Sequence, residues 1–410
     1  MRLTAEQQAM AAGSAGEAAA QAIAMLLAVG KAVEAERLIP VASAHIVIDA
    51  VTLGEPGLRQ VESLARAGGR FVVPTTINAV ACDRRADPAT YSGMARRQHE
   101  VLQACVAMGG LATCSCNPIG QGVLPSFGQS VAWSESGTAP YVNGVLGARS
   151  NREGATSLAS ALTGLTPDYG MHRPESRRGD GLLDIAASVS GVDGFGLLGL
   201  HVARRWPGRI PVLRGLPPPQ LDEWIAFASS FAIAGAAPMF HAIGLTPEAP
   251  SLAAAFPDGA PSPERVTDED LRAERGRLES ETGETIDMVV LGCPHASLQQ
   301  LAEAARRFDG RRVKAGIDCV LHTSQGAYAL AQAAGHVAAL TQAGARLTVG
   351  EMCYGCDFRD RRFPDGARVA TNSGKLLFVA PGSQGARLRL ADAAACIEAA
   401  VSGRLARYNR

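Results

Sequence analysis

Residues 286–308 read IDMVVLGCPHASLQQLAEAARRF. The apolar run from Met288 suits a buried strand, Gly292 to His295 form a turn, and Ser297 opens an amphipathic helix. A strand passing straight into a helix is the unit of parallel sheets, because the crossover helix returns the chain to the same edge. The pattern continues in both directions. Toward the C-terminus, VKAGIDCVLHTS (313–324) is strand-like, GAYALAQAAGHVAALTQAGA (326–345) is helical, and RLTVGEMC (346–353) is a strand entering a loop. RVATNSGKLLFVAPG (368–382) reads as a polar turn flanked by strands, followed by a final helix over 391–403. Toward the N-terminus, Thr4 caps one or two helices ending at Gly30, and LIPVASAHIVIDAV (38–51) is a strand emptying into a loop with Ser43 and His45. GLRQVESLARAGG is a helix, and RFVVPTTINA a strand ending in Thr75, Thr76 and Asn78. A helix around 90–108 leads to a strand GLATCSC, SSFAIAGAAPMFHAIGLTPEAPSL is a strand–loop segment, and residues 257–280 are an exposed connection and surface helix. The class is therefore α/β, with mostly parallel sheets in more than one lobe.

Composition narrows the function. The 410 residues are 47% hydrophobic with 39 basic and 39 acidic side chains, so no broad field draws the chain to nucleic acid or to an anionic membrane. No continuous apolar run is long enough to span a bilayer and no export signal stands out, which points to the cytoplasm. Nine cysteines, an odd number, argue for reduced thiols rather than a disulfide framework.

The polar residues that need explaining lie in residues 113–154, TCSCNPIGQGVLPSFGQSVAWSESGTAPYVNGVLGARSNREG. Glu135, Asn143, Arg149, Asn151 and Arg152 sit among apolar residues there, as in the wall of a pocket, since buried polar groups must find partners. Three cysteine sites share one context, an apolar strand giving way to a loop: Cys114/Cys116, Cys293, and Cys353/Cys356. Thiolates converging from separate loops suit a soft metal or an iron–sulfur cluster. The alternatives are small residues at strand ends, or a redox or zinc CxxC at Cys353 and Cys356. Cys82, Cys105, Cys319 and Cys396 read as structural. The GCPHAS turn offers backbone N–H groups to an anion at a helix start. Lys375 in TNSGK is a carboxylate anchor or an acid/base.

The segments GSAGEAAAQ, LIPVASAH, VPTTIN, AWSESGTAPYVNGVLGARSNREG, GAAPMFHAIGLTPEA, VVLGCPHAS and VATNSGK together resemble the large, catalytic part of the aconitase X family, over nearly all of residues 1–410. The resemblance implies an aconitase-like multi-lobed α/β architecture and dehydration of a small hydroxy acid. Bacterial members take cis-3-hydroxy-L-proline to Δ1-pyrroline-2-carboxylate, and an archaeal branch takes mevalonate 5-phosphate. It also implies an iron or iron–sulfur centre ([2Fe-2S] or mononuclear) on Cys116, Cys293 and Cys353; Cys116 is chosen over Cys114 because it precedes Asn117-Pro118. The chemistry places Lys375, Glu135, Ser43 and His45 in catalysis, and Thr75, Thr76, Asn78, Asn143, Arg149, Asn151, Arg152, Asn372 and Ser373 around the substrate. The family's small swivelling domain, which supplies a catalytic serine, resembles no segment here, so a separate small subunit is expected as partner. IVIDAVTLGE after His45, AVACD after VPTTIN and CYGC around Cys353 depart from the family's usual residues, which leaves room for another hydroxy acid or for a non-catalytic binding protein on the same scaffold.

Overall fold

The computed structural model describes residues 1–91, 93–135, 137–280, 283–353, 363–364 and 366–406, with backbone alone at 382–384. The first lobe carries β1 (Leu38–Pro40), β2 (Ala44–Ile46), β3 (Thr75–Ile77), β4 (Ala132–Trp133) and β5 (Leu165–Pro167). β2 lies between β3 and β4 and runs parallel to both, while β1 pairs antiparallel with β5. The second lobe holds β6 (Gly181–Ile185), β7 (Pro211–Arg214), β8 (His241–Ala242) and β9 (Glu264–Val266), in the parallel order β8-β7-β6-β9. The third holds β10 (Met288–Ala296), β11 (Asp318–Thr323), β12 (Arg346–Val349), β13 (Arg368–Thr371) and β14 (Arg387–Leu390), in the parallel order β12-β11-β10-β13-β14. The expected α/β class with mostly parallel sheets in several lobes is what the chain adopts.

The opening segment folds as its residues indicate. β10 is followed by a helix Leu298–Phe308 in which Ser297 Oγ accepts from Gln300 N and the Gln300 side chain returns to Ser297 N, a reciprocal cap. Its apolar face, Leu301, Ala304 and Phe308, is buried against the third sheet.

Elsewhere tertiary packing overrides the local pattern. Residues 38–51 are two strands: β1 ends at Pro40, which has no N–H for further pairing, and His45 sits at the centre of β2 rather than in a loop. GLATCSC forms no strand; Leu111 makes one bridge to Thr76, and Cys114 at φ 43° breaks the extended run. The SSFAIAG run belongs to a helix, Leu221–Gly235, apolar on most sides because it lies between the helices Gly191–Arg205 and Gly374–Gln384. Phe227 stacks on Phe231 at i,i+4 and both meet Phe240. LLFVAPG is also helical, since Ser373 caps a helix over Gly374–Gln384, and the 326–345 helix is two helices parted at Gly335, φ 81°. Residues 257–280 contain β9 and a helix Asp268–Leu278 whose Glu274 and Arg275 are buried, so that helix is not merely a surface one. Among the described residues no helix is long and apolar enough to cross a membrane.

Candidate active site

Parallel strands direct their C-terminal ends to one edge, and here two such edges face each other. Beyond β3 the chain bridges the segment beyond β12: Val80 N donates to Gly350 O at 2.9 Å and Met352 N to Val80 O at 3.0 Å. Glu135 stands two residues past β4, and Lys375 is on the first turn of the helix that follows β13. Across the lobe boundary Lys375 Nζ lies 2.7 Å from Glu135 Oε1, with both side chains buried. Burial alone would raise the Glu135 carboxyl, but the Lys375 ammonium, the bond from Lys375 and the Gly137 N–H hold it below its ordinary value. Glu135 is therefore an anion at neutral pH.

His45, the middle residue of β2, is fully buried beside this pair. Its Nδ1 is 2.8 Å from Thr76 Oγ1, and its ring centroid is 5.8 Å from that of Trp133. Burial pushes the imidazole down to about 4, against the Glu135 carboxylate and Asn78, which favour its cation. A neutral His45 thus keeps Nε2 without a hydrogen-bond partner among the described residues, and the Asn78 Oδ1 atom is buried and unpaired in the same way. Asn78 and Glu135, with Thr76, are thus the polar neighbours that face this imidazole.

The position of Lys375 depends on a close approach of two backbones. A Cβ on Gly374 would stand 2.8 Å from the carbonyl carbon of Gly196 in the neighbouring helix. Gly374→Ala must therefore shift the helix Gly374–Gln384, whose first turn carries Lys375. The expected result is a loss of about 1–3 kcal/mol of stability in denaturant unfolding together with a drop in turnover, whereas Gly276→Ala, inside the helix Asp268–Leu278 with nothing within 4 Å, should leave turnover unchanged and raise stability by about 0.5–1 kcal/mol.

The three cysteines come from the same edges. Cys293 follows Gly292, whose φ is 87° and where a Cβ would stand 2.1 Å from His322 O, so only glycine fits there. Cys293 and Cys353 stand joined as a disulfide with Cα atoms 5.5 Å apart, contrary to the expectation of reduced thiols throughout, and Ser373 Oγ donates to Cys293 O. Cys116 accepts a 3.4 Å bond at Sγ from His295 N. Burial pushes its thiol up to about 11, with Lys375 working downward and Glu135 upward. Among the described residues no three His, Cys, Asp or Glu side chains stand together at metal-ligand geometry. Once that pair is reduced the donor set fits a soft metal: three cysteine sulfurs from separate loops at adjoining strand ends. Cys356 lies outside the described residues.

The remaining sequence-derived residues divide. Thr76, Asn78, Asn372 and Ser373 are buried at the same strand ends. Ser43 accepts from Trp133 Nε1 at 3.1 Å, and Thr75 Oγ1 donates to Val73 O at 2.9 Å, so neither is brought to the ion pair. Asn143 is used at the boundary of the first two lobes, donating to Ser150 O and Pro238 O and accepting from Ser150 N and Arg177 Nη1. Arg149 donates to His172 O, and Asn151 binds Tyr169 O and Met171 N, which shapes the turn at 169–172. Arg152 adopts φ 61°, rare for a side-chain-bearing residue, in the loop whose Glu153 N bonds Trp133 O. The anion expected at the GCPHAS helix start is the protein's own: Ser297 Oγ donates to Asp222 Oδ2 at 2.7 Å. Sequence reasoning passed over Ser115, though it stands between two cysteines, because a buried serine has no distinctive pattern. Cys82, Cys105, Cys319 and Cys396 are buried, in keeping with structural thiols.

A cleft of about 940 Å³ opens between the second and third lobes, with Asp222, Gly292 and Asn372 in its wall. Those three residues also line a narrow neck that reaches Cys293 and His295.

Strand ends of the first and third lobes that bury a carboxylate, an ammonium, an imidazole and three cysteine sulfurs together make a multi-lobed α/β enzyme site. Three family models match in chain order: Aconitase X first domain over residues 1–175, second domain over 181–276 and third domain over 286–402. These spans each hold one of the three lobes. The chain is 38% identical to a cis-3-hydroxy-L-proline dehydratase of Pseudomonas aeruginosa, covering 98% of this chain and 70% of that protein. It is 32% identical to the phosphomevalonate dehydratase large subunit of Thermococcus kodakarensis, over 92% of this chain and 94% of that one. The crystal structure of Thermococcus kodakaraensis aconitase X in its holo form superposes with a TM-score of 0.87 at 31% identity, covering 98% of this chain and 100% of that one. The chain belongs to the aconitase X family, whose named relatives here are dehydratases, carbon–oxygen lyases that remove water.

Proposed function

We propose that this chain is the large subunit of a cytoplasmic dehydratase that removes water from a small hydroxy acid, cis-3-hydroxy-L-proline before others, and that it works with a small swivelling subunit. The observation that carries the reading is the buried Glu135–Lys375 pair beside a neutral His45, with the sulfurs of Cys116, Cys293 and Cys353 at the adjoining strand ends. Hydroxyproline has one carboxylate and one secondary ammonium, and Lys375 and Glu135 offer the opposite charge to each. Mevalonate 5-phosphate brings no cation for Glu135. The identity to the Pseudomonas relative supports the same choice, and the relatives named as large subunits support a separate partner.

In this reading Lys375 anchors the carboxylate, with Arg152 as a second anchor from its left-handed loop position. Glu135 holds the ring nitrogen, and His45 Nε2 takes the proton alpha to the carboxylate. Loss of that proton and of the 3-hydroxyl leaves a ring enamine, which tautomerises to Δ1-pyrroline-2-carboxylate. Cys116, Cys293 and Cys353 would hold an iron or iron–sulfur centre, which when bound supplies Lewis-acid polarisation of hydroxyl and carboxylate. Its Cys116 ligand must first lose a proton that burial favours, so iron uptake should strengthen as pH rises.

The test is anaerobic purification with assay of iron and acid-labile sulfide, for the parent chain and for Cys116→Ser, Cys293→Ser and Cys353→Ser. Turnover of cis-3-hydroxy-L-proline and mevalonate 5-phosphate is then measured with a co-expressed small subunit. Iron in the parent, its loss in all three variants and turnover of hydroxyproline are expected. A parent without iron after reconstitution, and without turnover of either acid, would sink the reading.

A further inference from the structure

We infer that His295 is the positioning residue that holds the three cysteine-bearing loops in one arrangement. The inference rests on the iron reading of Cys116, Cys293 and Cys353, and concerns a residue which that reading does not use.

His295 lies two residues after Cys293 and is 2% exposed. Its backbone N–H and both ring nitrogens run to other cysteine loops. The backbone N–H donates to the Cys116 sulfur at 3.4 Å. On the ring, Nε2 is 2.7 Å from the carbonyl oxygen of Glu351, two residues before Cys353. Nδ1 is 3.3 Å from Ser115 Oγ, the residue before Cys116. A carbonyl only accepts, so Nε2 carries the hydrogen and Nδ1 accepts from the Ser115 hydroxyl. Ser115 Oγ in turn accepts from Asn117 N at 3.1 Å, which sets the turn on the far side of Cys116. The network is closed: one neutral imidazole, in one tautomer, links the loop it stands on to the other two.

The anchors at its ends are themselves fixed. Glu351 is bridged to Val80 of the first lobe, and Cys293 O accepts from Ser373. His295 therefore connects loops that belong to two different lobes, where the covalent chain gives no short tether between Cys116 and Cys293. Groups of this kind orient metal ligands from outside the coordination sphere, and losing one costs about 10–100-fold in metal affinity.

The test uses the full chain, reduced and metal-free, titrated anaerobically with ferrous iron against a chelator. The variants are His295→Leu, His295→Gln and Ser115→Ala. Glutamine can place its Nε2–H where the imidazole Nε2–H stands and so keep the bond to Glu351 O, whereas leucine fills the space without it. His295→Leu is expected to lose about 10–100-fold in iron affinity, with His295→Gln close to the parent and Ser115→Ala between them. In the metal-free chains, alkylation of Cys116 and Cys353 should speed up in His295→Leu and not in His295→Gln. If His295→Leu fails to fold, the Ser115→Ala and His295→Gln titrations decide. Parent-like iron affinity in His295→Leu and Ser115→Ala overturns the inference and leaves the iron reading standing, as does a glutamine variant as weak as the leucine one. A parent that binds no iron overturns the iron reading, and this inference with it.

Discussion

Glu135→Gln is expected to lower dehydration by about 10²–10⁴-fold, the range for removing a group that handles charge or protons at a reacting centre, and to cost about 3–5 kcal/mol of stability. The second loss has a separate cause. Lys375 faces Glu135 at 2.7 Å with both side chains buried, and a neutral amide leaves the ammonium in low dielectric without its counter-charge. Lys375→Met should cost a similar amount, since it strands the carboxylate. The double variant Glu135→Gln, Lys375→Met buries no charge at this position and is expected to regain most of the stability while remaining inactive. Urea unfolding and turnover of cis-3-hydroxy-L-proline separate the two effects. Single variants within about 1 kcal/mol of the parent would show that water reaches the pair, and an active double variant would remove Glu135 and Lys375 from the reaction.

The second large effect is a loss of stability in mild acid. Burial pushes His45 and His295 from 6.5 down to about 4 and His322 down to about 3. An unfolded chain takes up all three protons as pH falls through about 6.5, while these imidazoles stay neutral in the folded chain until about 4. Stability is therefore present above that window and falls with pH inside it, by up to about 1.4 kcal/mol per pH unit for each histidine. Glu135 acts lower: its carboxyl is held below the ordinary 4.5, so its contribution is lost only as pH falls through that depressed value. Urea unfolding at pH 7.5, 6.0 and 5.0 reads the slope. His322→Gln, which keeps a polar partner for Thr348 Oγ1, should reduce it by about a third. Equal stability at the three pH values would mean that these imidazoles are protonated in the folded chain without penalty.

Local sequence was informative wherever one segment decides its own structure. The apolar run of β10, the Gly292 turn and the Ser297 cap are legible because propensity, turn chemistry and capping agree within a few residues. Strand-end cysteines at Cys114/Cys116, Cys293 and Cys353/Cys356 were legible as three sites, and the choice of Cys116, Cys293 and Cys353 among them came from the family resemblance. Lys375 and Glu135 stood out as charges among apolar residues, although nothing local indicated that 240 residues apart they form one pair. Segments buried on every side were misread: SSFAIAG and LLFVAPG are helices, yet a helix surrounded by other helices loses the polar stripe that reveals its period. Asn143, Arg149 and Asn151 looked like pocket residues and instead bind backbone groups at the lobe boundary and the 169–172 turn.

The sequence alone therefore determined the α/β class, the family, the cysteines at strand ends and the charges set among apolar residues, since each rests on residue type and on neighbours within one turn or strand. Tertiary structure decided that β2 places His45 beside Glu135, that Lys375 closes the pair from another lobe, and that His295 joins the cysteine loops. Those relations depend on how separate sheets bring their C-terminal edges together, and residues hundreds of positions apart meet there through packing that no local pattern encodes.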